Sequence, residues 1–142
     1  QDSLFVYKGV QRRFQVKGIV NDVMVIEDYA HHPTAIKVTL RAVKAMGRGR
    51  IIAVFQPHRY TRTKFLLNGF ISSFSEADVL IVNEIYSAYE EPVEGISGKL
   101  LADLINESGQ KAEYFHRKEE ISGFLCGIVR PGDVVVILVT GY

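Results

Sequence analysis

The chain has 142 residues, 47% of them hydrophobic, which suits a single domain with a buried core. Its 17 lysines and arginines nearly balance 16 aspartates and glutamates, so the net charge of +1 excludes a general attraction to nucleic acid or anionic lipid. The sequence shows neither a leader pattern nor an apolar stretch long enough to cross a bilayer, and we expect a cytoplasmic location.

Five apolar runs predict the strands of a sheet. Most are continuous in valine, isoleucine and leucine, which is typical of strands covered on both faces. The predicted strands are residues 23–28, 51–55, 79–82, 112–115 and 134–139. The segment before them, with Phe14, Val16 and Ile19, predicts an additional edge hairpin.

Between these strands, apolar side chains recur at the spacing of helices. The four sets are Ile36, Leu40 and Val43; Leu66, Phe70 and Phe74; Leu100, Leu101, Leu104 and Ile105; and Ile121, Leu125 and Ile128. Pro33 suits the first position of the first helix. Thr61 or Thr63 is expected to cap the second helix, and Gly109 to follow the third. The alternation predicts a three-layer α/β domain, with a mostly parallel sheet of five to six strands and helices on both faces.

A single cysteine, Cys126, rules out an internal disulfide and fits a reducing compartment. It falls in the apolar pattern of the last helix, so we predict a buried thiol. The chain begins at Gln1 and stops at Tyr142, directly after a strand-like run. We therefore expect the natural polypeptide to continue at both ends.

Two polar stretches, residues 28–34 and 56–63, each follow an apolar strand directly. Ligands bind outside the carboxyl ends of parallel strands, so both stretches are expected at one rim. Asp28 could accept ribose hydroxyls or hold an amine there. The alternative is that Asp28 caps a turn while His31 and His32 form local hydrogen bonds.

Arg59 and Arg62 lie one helical turn apart at the start of the second helix. Two guanidinium groups there suit a carboxylate or a phosphate, which they bind through paired hydrogen bonds. The alternative is a solvated turn. The spacing of Arg12 and Arg13 alone favours the protein surface for that pair.

Residues 84–97 form the one long irregular loop of the predicted fold, and loops of that length are often functional. Tyr86, Tyr89 and Glu90 in this loop could line the site, although loop aromatics as often simply pack. Residues 95–100 resemble a phosphate-binding P-loop, but the spacing is too short and Leu100 replaces the metal-binding hydroxyl. No zinc-ligand spacing is present, and no metal site is predicted in this chain.

Three motifs together resemble the C-terminal domain of the Mur ligases, and among them the UDP-N-acetylmuramate–L-alanine ligase branch. They read GVQRRF at residues 9–14, EDYAHHPT at 27–34 and FQPHRYTRT at 55–63. The loop motifs at residues 84–86, 90–92 and 95–97 continue the match, which covers nearly the whole chain. The branch that attaches a whole peptide during murein recycling is the nearest relative.

The resemblance implies a Rossmann-like third domain of an ATP-dependent amide-forming ligase of peptidoglycan synthesis. Such a ligase uses Mg²⁺ and ATP to activate the carboxylate of UDP-N-acetylmuramate as an acyl phosphate, which the amine of L-alanine attacks. The N-terminal and central domains, with the P-loop and metal ligands, would be absent from this chain. We therefore expect the isolated chain to be inactive, with no catalytic residue of its own.

Residue by residue, the resemblance implies that Arg13 approaches the ATP phosphates and that Asp28 binds the adenosine ribose. It places the alanine side chain in a small pocket; the residues implied are Tyr29, His31 and His58. Arg59 and Arg62 would hold the alanine carboxylate. The chain departs from the family pattern after Val139, where a Gly-Ala-Gly type of turn would follow. Two alternatives remain: the peptide-adding recycling ligase, and a freestanding module that binds a small anion.

Overall fold

A computed structural model describes residues 14–139 of the chain. Its strands are β1 (Gln15–Val20), β2 (Val23–Asp28), β3 (Ile51–Phe55), β4 (Val79–Asn83), β5 (Ala112–Phe115) and β6 (Val134–Leu138). Its helices are α1 (Pro33–Ala45), α2 (Tyr60–Phe65), α3 (Leu67–Ile71), α4 (Gly98–Glu107) and α5 (Lys118–Ile128). Three of the five predicted strands have the bounds that the structure gives, and the other two differ by one residue.

The six strands of the described residues form one sheet in the order β1-β2-β6-β3-β4-β5. Only the β1–β2 pair is antiparallel, which confirms the edge hairpin and the mostly parallel sheet. Asn21 and Asp22, at the hairpin turn, both have positive φ angles, of 52° and 63°. Asparagine and aspartate tolerate that conformation better than other residues with side chains, which explains why the chain reverses there.

Helices cover both faces of the sheet, as predicted. On one face, α1, α3 and α4 pack against the strands through apolar side chains such as Ile36, Phe70 and Leu101. On the other face, α5 covers the strands through Ile121 and its neighbours. The second predicted helix is divided at Leu66 into α2 and α3, and Phe74 is buried beyond the end of α3.

The prediction of a buried thiol at Cys126 is wrong, because this residue is exposed. The side chains of α5 that pack on the sheet are Ile121, Phe124, Leu125 and Ile128. Cys126 follows Leu125 by one residue, which turns it about 100° around the helix and away from the sheet. No helix in the described part of the chain is long and apolar enough to cross a membrane.

The register of the central strands sets the spacing of the two polar stretches. Leu138 of β6 pairs with Asp28 on one side and with Phe55 on the other. The two stretches therefore begin at the same level of the sheet, with one strand between them. Neighbouring strands lie about 4.8 Å apart, so the two backbones leave the sheet roughly 10 Å from each other.

Candidate functional site

Asp28 ends β2 with a side chain that is only 4% exposed. Its carboxylate accepts hydrogen bonds from the backbone N–H groups of Ala30, at 2.7 Å, and Phe14, at 2.8 Å. The hydroxyl of Thr39 on α1 donates a third, at 3.1 Å. A carboxylate has about four acceptor positions, so these three donors leave roughly one for a ligand. The turn-capping role that the sequence left open is present in the structure.

A cavity of about 380 Å³ opens beside Asp28, between the end of β2 and helix α1. Its lining is largely apolar, with Phe14, Val38 and three alanines, and Asp28 and Thr39 are among its polar groups. Cavities of this size and mixed character are typical of small-molecule sites. A cavity of suitable size for a nucleoside therefore lies next to Asp28, the residue expected to bind the ribose.

Four aromatic rings form a row from the end of β2 to the 84–97 loop. Tyr29 meets His31 edge-on at 5.4 Å between ring centroids, and His31 meets His58 edge-on at 6.3 Å. His58 in turn stacks on Tyr86 at 5.6 Å. The structure thus brings together the three residues expected to surround the amino-acid side chain. His32 turns elsewhere, since its Nδ1 accepts the N–H of Thr34 and caps α1.

Arg62 points back along α2 to His58. Its guanidinium Nη1 lies 2.9 Å from His58 Nδ1 and donates to the His58 carbonyl at 3.3 Å. The pKa of His58 is lowered, first by burial and then by the positive charges of Arg62 and Arg59. These causes favour a neutral imidazole whose Nδ1 accepts from Arg62.

Arg59 is exposed and precedes α2 in a left-handed conformation, with φ of 74°. Its backbone N–H donates to the carbonyl of Tyr86 at 2.8 Å, and the N–H of Tyr86 donates to the carbonyl of Pro57 at 2.9 Å. These bonds tie the turn to the 84–97 loop. Within residues 14–139, the Arg59 guanidinium makes no hydrogen bond or ion pair, so it is available to an anion.

The start of α2 is capped by Glu90, and not by Thr61 or Thr63 as predicted. The Glu90 carboxylate accepts from the N–H of Tyr60 at 2.6 Å, from the N–H of Thr61 at 3.2 Å and from the Thr61 hydroxyl. The hydroxyl of Thr63 donates to the carbonyl of Arg59 instead. The Thr61 hydroxyl, followed by the backbone donors and Arg59, lowers the pKa of Glu90.

Two buried amide side chains that the sequence analysis did not single out hold the strand ends level. Gln56 donates through Nε2 to Asn83 Oδ1 at 3.0 Å and to the carbonyl of Glu84 at 3.3 Å. Asn83 donates through Nδ2 to the carbonyls of Phe115, at 2.8 Å, and His116, at 3.3 Å. In the sequence, each of these residues directly follows an apolar run. That position could have indicated a buried amide, which requires hydrogen-bond partners.

Glu84 anchors both ends of the 84–97 loop. Its Oε1 accepts from the N–H groups of Ile85 and Gly98, and its Oε2 accepts from the Tyr114 hydroxyl at 2.9 Å. Burial and this bond to Glu84 raise the pKa of Tyr114 to about 12. A Cβ at Gly98 would lie 2.4 Å from the Asn83 carbonyl oxygen, so the close approach requires glycine there.

Helix α1, which begins within the first polar stretch, touches α3, the helix after α2, at Gly69. An added Cβ on Gly69 of α3 would lie 2.9 Å from Cγ of Pro33, the first residue of α1. The Ser73 hydroxyl also donates to the Pro33 carbonyl at 3.4 Å. The absence of a side chain at 69 therefore lets the two halves of the site approach.

Two further expectations concern the role of Arg13 and the presence of a metal site. Arg13 lies outside the residues that the structure describes, and its approach to phosphates stays a prediction. Among residues 14–139, no group of three or more histidine, cysteine, aspartate or glutamate side chains could hold a metal ion.

Comparison with known proteins identifies the family. The family model described as "Mur ligase, glutamate ligase domain" matches residues 12–141. The chain belongs to this family. The resemblance recognised from the three motifs is thereby confirmed, as is the Rossmann-like α/β fold.

The relatives found within the Mur ligase family are named for the branch that the motifs suggest. The UDP-N-acetylmuramate–L-alanine ligase of Geotalea uraniireducens is 48% identical over 142 residues, covering 99% of this chain and 31% of the relative. The chain therefore spans about three tenths of the length of the curated relatives that it matches.

Two crystal structures of Mur ligases share the fold. The UDP-N-acetylmuramate–alanine ligase of Thermotoga maritima is 25% identical with a TM-score of 0.74, over 92% of this chain and 27% of that one. A murein peptide ligase from Psychrobacter arcticus has the same identity of 25%, TM-score of 0.74 and coverages of 92% and 27%. The backbone alone therefore does not distinguish the two branches.

Proposed function

We propose that this chain is the C-terminal domain of an ATP-dependent ligase that joins L-alanine to UDP-N-acetylmuramate in peptidoglycan synthesis. The observation that carries this proposal is the 48% identity, over 99% of the chain, to a ligase named for that reaction. The remaining domains, and a cytoplasmic location, belong to the same proposal.

The geometry at the end of β3 supports the amino-acid half of the site. The Arg59 guanidinium and Arg62 would hold the carboxylate of L-alanine, and the rings of Tyr29, His31 and His58 would surround its methyl group. A neutral His58 suits this role, because a third positive charge would add repulsion beside two arginines. Together these residues orient the alanine amine toward the activated sugar.

The cavity beside Asp28 supports the nucleotide half. Its volume of about 380 Å³ and apolar lining suit an adenosine, and the remaining acceptor position of Asp28 would take one ribose hydroxyl. Arg13 would approach the phosphates. The described residues do not fit a metal site, so Mg²⁺ is assigned to the absent domains and no step on this chain passes through it.

ATP supplies the phosphoryl group that converts the sugar carboxylate into an acyl phosphate, with release of ADP. The alanine nitrogen then forms the amide bond to the acyl carbon, and inorganic phosphate leaves. Acyl phosphates hydrolyse, so water must be excluded while the amine attacks. A domain that brings alanine and one side of the nucleotide site by hinge closure achieves this.

A chimera tests the proposal. This chain replaces the matching three tenths of the Geotalea uraniireducens ligase, and phosphate release is measured with ATP, UDP-N-acetylmuramate and L-alanine. We expect alanine-dependent turnover by the chimera and none by the isolated chain. Ligation by the isolated chain, or a soluble chimera without turnover, would contradict the proposal.

The same chimera separates the alternatives. Turnover with L-alanine but not with a tripeptide excludes the peptide-adding recycling ligase, and the 48% identity to an alanine ligase favours that result. A freestanding anion-binding module predicts instead that the isolated chain binds a small carboxylate tightly and that the chimera is inactive.

A further inference from the structure

Glu90 joins two chain segments of the candidate site, the 84–97 loop and helix α2. It lies in the loop before α4, yet its carboxylate binds the first turn of α2 through two backbone N–H groups, those of Tyr60 and Thr61, and one hydroxyl. Hydrogen bonds to an ionised carboxylate are shorter and stronger than neutral ones. This contact is therefore a charge-assisted link between the loop and the helix.

The loop holds a conformation that requires such anchors. Ala88 and Tyr89 have φ angles of 52° and 72°, and Tyr89 is 99% exposed. Residues with side chains adopt this left-handed conformation only where their surroundings impose it. The anchors on either side are Tyr86, through its backbone bonds to Pro57 and Arg59, and Glu90.

The same two anchors bind the backbone on either side of the Arg59 side chain. Its N–H bonds to Tyr86, the residue after it bonds to Glu90, and its own φ of 74° is in the left-handed region. Both anchors therefore hold the backbone from which the Arg59 side chain projects. Glu90 also occupies the N–H groups at the start of α2, so an incoming carboxylate is left to the guanidinium groups.

We propose that Glu90 is a positioning residue of the amino-acid site, which fixes the 84–97 loop to α2 and thereby holds Arg59 toward the substrate carboxylate. This inference rests on the proposed function for the identity of the substrate. The placement of Arg59 by Glu90 is a property of this chain alone and can be tested without turnover.

The first experiment measures amide hydrogen exchange by NMR at Arg59, Tyr60 and Thr61 in this chain. Glu90→Gln keeps the shape of the side chain and removes its charge, and Glu90→Ala removes the contact. We expect exchange at these three amides to accelerate about tenfold or more in Glu90→Ala and less in Glu90→Gln. The control is Glu91→Gln, which removes the same charge from the exposed neighbouring residue and should change none of them.

The second experiment uses the chimera and separates positioning from stability. We expect Glu90→Ala to raise KM for L-alanine about tenfold while kcat stays within about twofold, because uniform substrate binding is lost. Glu90→Asp, which keeps the charge, should recover part of the affinity, and Glu91→Gln should match the unsubstituted chimera. KM for ATP should not change.

The outcomes are distinct. A lower unfolding temperature with an unchanged KM for L-alanine would make Glu90 a loop-stabilising residue and overturn the proposal. If Glu90→Ala does not fold, Glu90→Gln decides both experiments. If the unsubstituted chimera is inactive, the proposed function fails, and unchanged amide exchange in Glu90→Gln and Glu90→Ala would then overturn the positioning role by itself.

Discussion

Charged side chains lie at both ends of the parallel strands. The side of the sheet where these strands begin is called here the amino edge, and the side where they end is the carboxyl edge. The charges have different partners at the two edges. At the amino edge, Arg50 donates to both Asp133 carboxylate oxygens, at 3.2 and 2.8 Å, and to the Ile128 carbonyl at 2.7 Å. The N–H of Arg130 completes the Asp133 environment at 2.8 Å. At the carboxyl edge, the Arg59 guanidinium has no such partner among residues 14–139.

The difference shows how one residue type serves two purposes in one fold. Arg50 has a structural role, because its charge is paired with that of Asp133, which is 3% exposed. Arg59 is held in place through its backbone, while its guanidinium makes no hydrogen bond or ion pair with the residues that the structure describes. An arginine whose position is fixed but whose guanidinium is unpaired is suited to bind an anion from outside.

The largest expected effect lies at the amino edge. Asp133→Ala should lower the free energy of unfolding by about 3 kcal/mol, because it leaves the half-buried Arg50 charge without its partner. Urea denaturation measures the change. The control is Asp22→Asn, which weakens the ion pair between Arg48 and the exposed Asp22 carboxylate and should cost under about 1 kcal/mol. Equal costs for the two variants would show that the pair with the buried Asp133 contributes no more to stability than the pair with the exposed Asp22.

At the carboxyl edge, Arg59→Ala should raise KM for L-alanine in the chimera about 100-fold, because a paired interaction with the carboxylate is lost. The free energy of unfolding of this chain should change by less than about 0.5 kcal/mol. Arg59→Lys should recover only part of the affinity, since lysine lacks the fork geometry. Arg41→Ala, at an exposed position on α1, is the control for general charge. An unchanged KM would place the carboxylate elsewhere.

At the carboxyl edge, Asp28 resembles Asp133 in burial, with 4% of the residue exposed against 3%. Asp28→Asn should lower the free energy of unfolding by about 2 kcal/mol, because an amide NH₂ cannot accept from the donors that surround it. Thr39→Val removes one of those donors and should cost about 1 kcal/mol. Thermal unfolding checks both values, and no loss in Asp28→Asn would show that the turn does not need the charge.

The smallest expected effect concerns the titration of His58. NMR should find its pKa below 6.5, and Arg62→Leu should raise it toward that value. Because the pKa is lower in the folded state than in the unfolded state, the unfolded chain binds more protons in the interval between the two values. The free energy of unfolding should therefore rise with pH across that interval, and the contribution of His58 to it should be fully present above pH 6.5. A pKa above 6.5 would contradict a neutral imidazole at the site.

The sequence predicted the strands well because their apolar runs are continuous and short. It also placed Asp28, His58 and Arg59 at one rim, because the carboxyl ends of parallel strands share an edge. The alternation of elements alone was sufficient for both conclusions.

Two predictions failed, and the first involves partners far apart along the chain. The capping of α2 by Glu90 joins residues 30 positions apart, which no local pattern reveals. Nearby threonines have the usual chemistry of caps, so they were the natural but wrong choice. Cys126 was misplaced because α5 buries only a narrow stripe of side chains against the face of the sheet, and the sequence does not show how wide that stripe is.

The contact between Gly69 and Pro33 has a consequence for substrate size. A methyl group at position 69 would meet a rigid ring rather than a flexible chain end, so one helix would have to shift. Pro33 is the first residue of α1 and Gly69 lies in α3, so the shift would move α1 and α3 apart, beside the segment that carries His31. The hydrogen atom of Gly69 thus lets α1 and α3 pack closely, and we expect Gly69→Ala to change which amino acids the proposed site accepts.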